Sequence, residues 1–222
     1  MNTIADHISQ VLAALPEGVR LVAVSKFHDA AAVRQAYDAG QRRFGESRVQ
    51  ELLAKAPLLP DDVEWHFIGH LQTNKVRQLI GKTSLIESVD SERLLELIDK
   101  ESERAGTVTR VLLQVHVARE ETKFGFYPEE IMEYFRNRRF EQLKAVHICG
   151  LMGMASNTDD TDRVNEDFSA IHKIYRDIKA LCPDLRGFDI LSMGMSGDWP
   201  SAVEHGSNMV RIGTAIFGPR QY

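Results

Sequence analysis

Only two cysteines, Cys149 and Cys182, occur in 222 residues, far apart and without Cys-x-x-Cys spacing. Neither a disulfide framework nor a zinc site is indicated, and a reducing, cytoplasmic compartment fits. No stretch approaches the ~20 apolar residues needed to span a bilayer. The N-terminal segment carries Asp6, His7 and Glu17 in place of the apolar run of a secretion signal, so no membrane association is expected. Charge of one sign is also scarce: 27 Lys and Arg against 32 Asp and Glu leave a net charge of -5. That balance removes any general drive toward nucleic acid or anionic lipid, and Arg42, Arg43, Arg48 and Arg136, Arg138, Arg139 read as solvated local clusters. Nor is there a Pro/Gly/Ser-rich linker, so residues 1–222 are expected to form one domain. A composition of 43% hydrophobic and 27% charged residues suits an ordinary globular core.

The hydrophobic pattern alternates between short apolar runs and helical periods. An opening amphipathic helix near 3–15 places Ile4, Ile8, Val11, Leu12 and Leu15 on one face. Strands are predicted at 21–26, 42–45, 65–69, 85–89, 110–117, 146–154, 188–193 and 209–213. Helices are predicted between them near 29–39, 47–55, 73–80, 91–104, 128–137, 160–181 and 198–206. Asp29, Ser91 and Pro128 are start residues, by side-chain capping or a preset backbone angle. Val164, Phe168, Ile171, Tyr175, Ile178 and Leu181 recur every three or four residues, so the long helix should lie against a sheet. Eight strands alternating with helices in this length favour a single α/β (β/α)8 barrel with an extra N-terminal helix.

Such a barrel carries its chemistry at the carboxyl ends of its strands. Lys26 ends the run Leu21-Val22-Ala23-Val24-Ser25-Lys26, where desolvation can free an amine's lone pair for attack on a carbonyl. A strand-end lysine is also common as a plain solvated charge. What surrounds it decides. Strand seven runs into Ser192-Met193-Gly194-Met195-Ser196-Gly197-Asp198 and strand eight into Arg211-Ile212-Gly213-Thr214, adjacent loops rich in small residues and hydroxyls. With a helix predicted just after Ser196, this corner suits a phosphate. An amine opposite a phosphate corner is a layout for pyridoxal phosphate, whose aldehyde needs the one and whose phosphate needs the other.

Ala23-Val24-Ser25-Lys26, Phe44-Gly45-Glu46, the string from His66 through Gly69 and Leu71-Gln72 to Asn74-Lys75, Ser192 to Ser196, and the closing Arg211 to Gly218 together resemble the pyridoxal phosphate homeostasis proteins. The resemblance covers nearly the whole chain. It implies the alanine racemase N-terminal barrel, a fold-type III cofactor-binding barrel, with pyridoxal phosphate held as an internal aldimine on Lys26. It further implies Ser196, Gly213 and Thr214 around the phosphate and Arg211 facing the pyridine nitrogen. An arginine there discourages ring protonation and makes the cofactor a poorer electron sink. Related racemases use such an arginine but add a tyrosine base from a second, β-rich domain, whereas this sequence runs to Pro219-Arg220-Gln221-Tyr222 directly after the eighth strand. The expected role is a non-catalytic, monomeric carrier that stores pyridoxal phosphate and delivers it to apo-enzymes. An amino-acid racemase and a Schiff-base aldolase acting on a phosphorylated substrate are the alternatives. Ser47 and Arg48 depart from the family's usual asparagine and tyrosine after Gly-Glu. Lys75 and Lys123 read as surface or supporting lysines, with a secondary aldehyde site as the alternative.

Other patterns fail on spacing. Gly81-Lys82-Thr83 lacks the first glycine of a P-loop, since Val76 stands there. His66 and His70 lie on a strand and its loop with no glutamate after His66, so they read as core or hydrogen-bonded histidines instead of zinc ligands. Asp159, Asp160 and Asp162 lack the glycine of a calcium loop and are better placed to favour a helix start.

Overall fold

The computed structural model describes residues 3–117 and 124–219. It opens with α1 (Ile4–Ala14), begun by a capping box in which Thr3 and Asp6 bond each other's backbone N–H groups. There follow β1 (Arg20–Val24), α2 (Ala30–Asp38), β2 (Arg43–Glu46), α3 (Val49–Lys55), β3 (Glu64–Phe67), α4 (Val76–Leu79), β4 (Leu85–Val89) and α5 (Glu92–Arg104). The second half continues with β5 (Thr109–Val115), α6 (Pro128–Arg136), β6 (Val146–Gly153), α7 (Thr161–Leu181), β7 (Ile190–Ser192), α8 (Trp199–Glu204), β8 (Met209–Ile212) and α9 (Thr214–Phe217). Among the described residues eight parallel strands pair in chain order, and β8 returns to β1 to close a barrel. No helix among them is long and apolar enough to cross a membrane.

The period-two pattern of each strand sorts its side chains into two layers. Leu21, Ala23, Phe44, Phe67, Ile86, Leu113 and Leu191 face the helices and join the large outer core. Val22, Leu85, Leu112, Cys149, Met152, Ile190 and Met209 fill the barrel itself. Each fully buried large side chain, such as Phe44, Phe67, Phe135 or Phe168, contributes roughly 1.5–3 kcal/mol by leaving water. Two residues further along their strands, Glu87, Ser192 and Arg211 share the inward face of Leu85, Ile190 and Met209. A buried polar layer therefore lies between the apolar floor and the mouth.

Asp29, Ser91 and Asp160 cap α2, α5 and α7 with their side chains, and Pro128 begins α6. Several expected elements are shorter. The seventh strand keeps only Ile190–Ser192 of 188–193, and the helix expected at 73–80 divides into a 3-10 turn, Thr73–Lys75, and α4. Leu12 is 45% exposed, because α1 turns Ile8 inward and rests on the barrel with Ile4, Val11 and Leu15. α9 follows Gly213 unforeseen, being only four residues long.

Candidate functional site

β1 ends at Val24, so Lys26 lies two residues beyond the strand instead of at its last position. Ser25 still donates to the Gly45 carbonyl at 3.0 Å, but the next residues turn: the His28 N–H closes on the Ser25 carbonyl at 3.1 Å. Phe27 takes a φ of 67°, a left-handed conformation that is rare for a bulky side chain. This turn presents the half-buried Lys26 at the mouth.

The loops after β7 and β8 meet beside it. The Gly213 N–H donates to Ser196 Oγ at 3.3 Å, and Thr214 opens α9, whose first N–H groups have no carbonyl of an earlier turn to bond. The helix expected just after Ser196 begins only at Trp199, because Asp198 first closes the loop by accepting the Met195 N–H at 2.5 Å. Two contacts join this corner to the lysine turn. β1 and β8 pair with Val22 opposite Arg211 and Ala23 opposite Ile212, and the His28 ring stacks on Phe217 of α9 at 5.1 Å. The position of Gly213 is tight, since a Cβ there would stand 3.1 Å from the Val24 carbonyl oxygen.

Arg211 sits just beneath, 4% exposed. Its Nη1 donates to the Ser192 carbonyl (2.8 Å) and Ser192 Oγ (2.6 Å), and its Nη2 to the Gly153 carbonyl (2.9 Å). Glu87 supplies the countercharge at 3.8 Å while accepting from Ser192 Oγ at 2.6 Å and pairing with His66 Nδ1 at 2.6 Å. Burial alone would raise the Glu87 pKa, yet the His66 hydrogen bond and charge, with Arg211 and Ser192, outweigh it and hold the carboxyl below its ordinary value. A carboxyl more acidic in the fold than in the unfolded chain stabilises fully above the unfolded pKa of ~4.3, and that stability is lost as pH falls through the folded value. Glu46 runs the other way: its burial raises the pKa despite bonds from Lys55 and Ser25. Through Glu87, urea midpoints should drop as pH is lowered below about 4.3, with Glu46 acting in the opposite sense. Glu87→Gln should flatten that limb, and Glu46→Gln should steepen it.

The remaining residues singled out by sequence separate. His66 turns inward to Glu87 while His70 pairs with Asp90 Oδ2 at 2.8 Å, so the two histidines do not converge on a common ligand. Lys75 is half-buried on its 3-10 turn, and Lys123 lies outside the described residues. The Ser47 carbonyl explains Gly69 instead, since a Cβ on Gly69 would fall 2.1 Å from that oxygen. Arg42, Arg43 and Arg138 are half-buried and Arg139 is exposed, and each is paired with an acidic neighbour. A cavity of about 620 Å³ opens between the loops after β6 and β7, lined by Met154, Ala155, Met195, Asp198 and Ser201 among others. Its lining does not include Lys26, Arg211 or Gly213, and the placement of reactive groups is the stronger guide to the site.

Sequence reading passed over Glu87 and Lys55. Both left a signal: Glu87 interrupts the apolar run Leu85-Ile86-Glu87-Ser88-Val89 at an inward position, and Lys55 continues the buried Val49, Leu52 spacing of three.

Residues 1–221 match the family model for the alanine racemase N-terminal domain. A pyridoxal phosphate homeostasis protein of Schizosaccharomyces pombe is 38% identical over 225 residues, spanning 99% of this chain and 91% of its own. One from Aquifex aeolicus is 38% identical over 208 residues, spanning 91% and 88%. The structure of PipY from Synechococcus elongatus with PLP bound superposes at a TM-score of 0.90 with 38% identity, covering 97% of this chain and all of that one. Alanine racemase from E. faecalis shares the fold alone, at 20% identity and a TM-score of 0.74, with 57% of its chain covered. With a family model matched over residues 1–221 and relatives 38% identical over nearly the whole chain, the chain belongs to the pyridoxal phosphate homeostasis proteins, a family built on the alanine racemase N-terminal barrel.

Proposed function

We propose that this protein binds pyridoxal 5'-phosphate and serves its homeostasis, with Lys26 holding the aldehyde, Ser196, Gly213 and Thr214 holding the phosphate, and Arg211 facing the pyridine nitrogen. The observation that carries the reading is the contiguity of an amine, a buried guanidinium and a hydroxyl and amide corner on one rim, tied by β1–β8 pairing and the His28–Phe217 stack. The donor set fits the group: one nucleophile for an aldehyde, one fixed cation for a ring nitrogen, and neutral donors for a phosphate. When bound, pyridoxal phosphate supplies an electrophilic carbon and an electron-withdrawing ring.

The residues favour retention over turnover. Arg211 cannot give up its proton to the ring, and its tethers to Ser192 and Gly153 fix it in one orientation. The charge of Arg211, balanced by Glu87, disfavours protonation of the ring nitrogen, which weakens the electron sink that amino-acid chemistry needs. A racemase must also handle protons on both faces of one carbon. The protein is a non-catalytic, cytoplasmic, monomeric carrier that releases its cofactor to apo forms of dependent enzymes. Two assays test this. Holoprotein mixed with such an apo-enzyme should restore its activity, and incubation with L-alanine or L-serine should give no D-enantiomer beyond the rate of free pyridoxal phosphate. Enzyme-like racemisation would sink the carrier reading.

A further inference from the structure

The turn that presents Lys26 is gripped from behind by a buried charged cluster. Lys55 closes α3 with a side chain only 9% exposed. Its Nζ donates to the Ser25 carbonyl at 2.9 Å and to Glu46 Oε1 at 2.7 Å, with Glu51 Oε2 at 3.7 Å. Ser25 Oγ donates to the same Glu46 oxygen at 2.6 Å, and Glu51 Oε2 accepts the Phe27 N–H at 3.0 Å. Both chain neighbours of Lys26 are thus bonded to this cluster. Arg48 adds a third hold: its guanidinium lies over the Phe27 ring at 4.8 Å and pairs with Glu51 at 3.5 Å.

Stability alone does not account for the arrangement. Lys55 follows Val49 and Leu52 on the buried face of α3, where an aliphatic side chain would serve packing, and burying a charge pair typically gains little over such a replacement. Glu46 Oε2 is buried with no hydrogen-bond partner, a cost the cluster carries uncompensated. What the charges do secure is backbone geometry. Phe27 holds a left-handed φ of 67° that its side chain disfavours, and such conformations persist where surrounding contacts over-determine them.

We infer that Lys55, Glu46 and Glu51 are positioning residues that lock the Ser25–His28 turn so that the Lys26 amine is aimed at the cofactor aldehyde. The inference rests on Lys26 being the tether and names what sets its aim.

The test compares two ligands on the full-length protein: pyridoxal 5'-phosphate, and pyridoxine 5'-phosphate, which keeps the ring and phosphate but carries an alcohol where the aldehyde was. In Lys55→Met, affinity for pyridoxal phosphate should fall about tenfold, the scale of one lost charge-assisted hydrogen bond, while affinity for pyridoxine phosphate stays within about twofold. Glu51→Ala should give the same split, and it decides the matter if Lys55→Met does not fold. Unchanged affinity for pyridoxal phosphate in the folded variants overturns the inference. So does a parallel loss for both ligands, which would mark a merely structural role. A wild-type protein that forms no adduct at Lys26 would instead remove the tether on which the inference stands.

Discussion

Replacing Lys26 by alanine is expected to abolish the visible absorption band of the holoprotein and every borohydride-stable adduct at that position, while leaving the fold intact. Lys26 sits on a turn after β1 and is only half-buried, so the truncation removes little packing. The phosphate corner does not depend on it, because the Ser196–Gly213 contact and the first turn of α9 belong to the β7 and β8 loops. Weak binding should therefore persist. If the tether is worth on the order of 3 kcal/mol, affinity for pyridoxal phosphate falls about a hundredfold. Pyridoxine phosphate, which cannot react with an amine, should bind the variant nearly as well as the wild type. Spectrophotometric titration with both ligands checks the pair of expectations. A Lys26→Ala protein that kept the visible band would place the attachment elsewhere.

The second large effect is on stability. Glu87 is fully buried inside the barrel, accepts from Ser192, pairs with His66 and provides the countercharge of Arg211. Glu87→Leu leaves the Arg211 guanidinium buried with carbonyl and hydroxyl partners only. Breaking one side of a buried charge pair costs about 3–5 kcal/mol, which in a chain of this size lowers Tm by about 6–20 °C. The double variant Glu87→Leu/Arg211→Met removes both charges and should recover part of that loss, because the uncompensated ion is gone. Thermal denaturation of the wild type, Glu87→Leu, Arg211→Met and the double variant reads this coupling. If the double variant is as unstable as the sum of the single ones, the two groups do not act as a pair.

The sequence made the architecture legible because each strand carries a run of residues that can face only a buried layer, and the longer helices α2, α5 and α7 begin at the side-chain caps Asp29, Ser91 and Asp160. The gathering of the proposed site residues was legible for the same reason: Lys26, Ser196, Gly213 and Thr214 follow strands and Arg211 lies one residue from the end of β8, and a parallel barrel brings strand ends to one rim. Placement of a side chain beyond a strand was harder to read. Lys26 looked like the last residue of β1 because Ser25 and Lys26 follow four apolar residues, and nothing local announces that Phe27 adopts a positive φ. That turn is imposed by Lys55, Glu46 and Glu51, which lie 20 to 30 positions away and act through tertiary contacts. The polar layer under the mouth was hidden by the same separation, since Glu87 and Ser192 meet across 105 residues of chain.

The covalent attachment at Lys26 is directly measurable. Wild-type protein saturated with pyridoxal phosphate, reduced with borohydride, digested and analysed by mass spectrometry should carry the cofactor on the peptide containing Lys26. Modification that spares Lys26 and falls on Lys55, Lys75 or Lys123, or no modification at all, would contradict it.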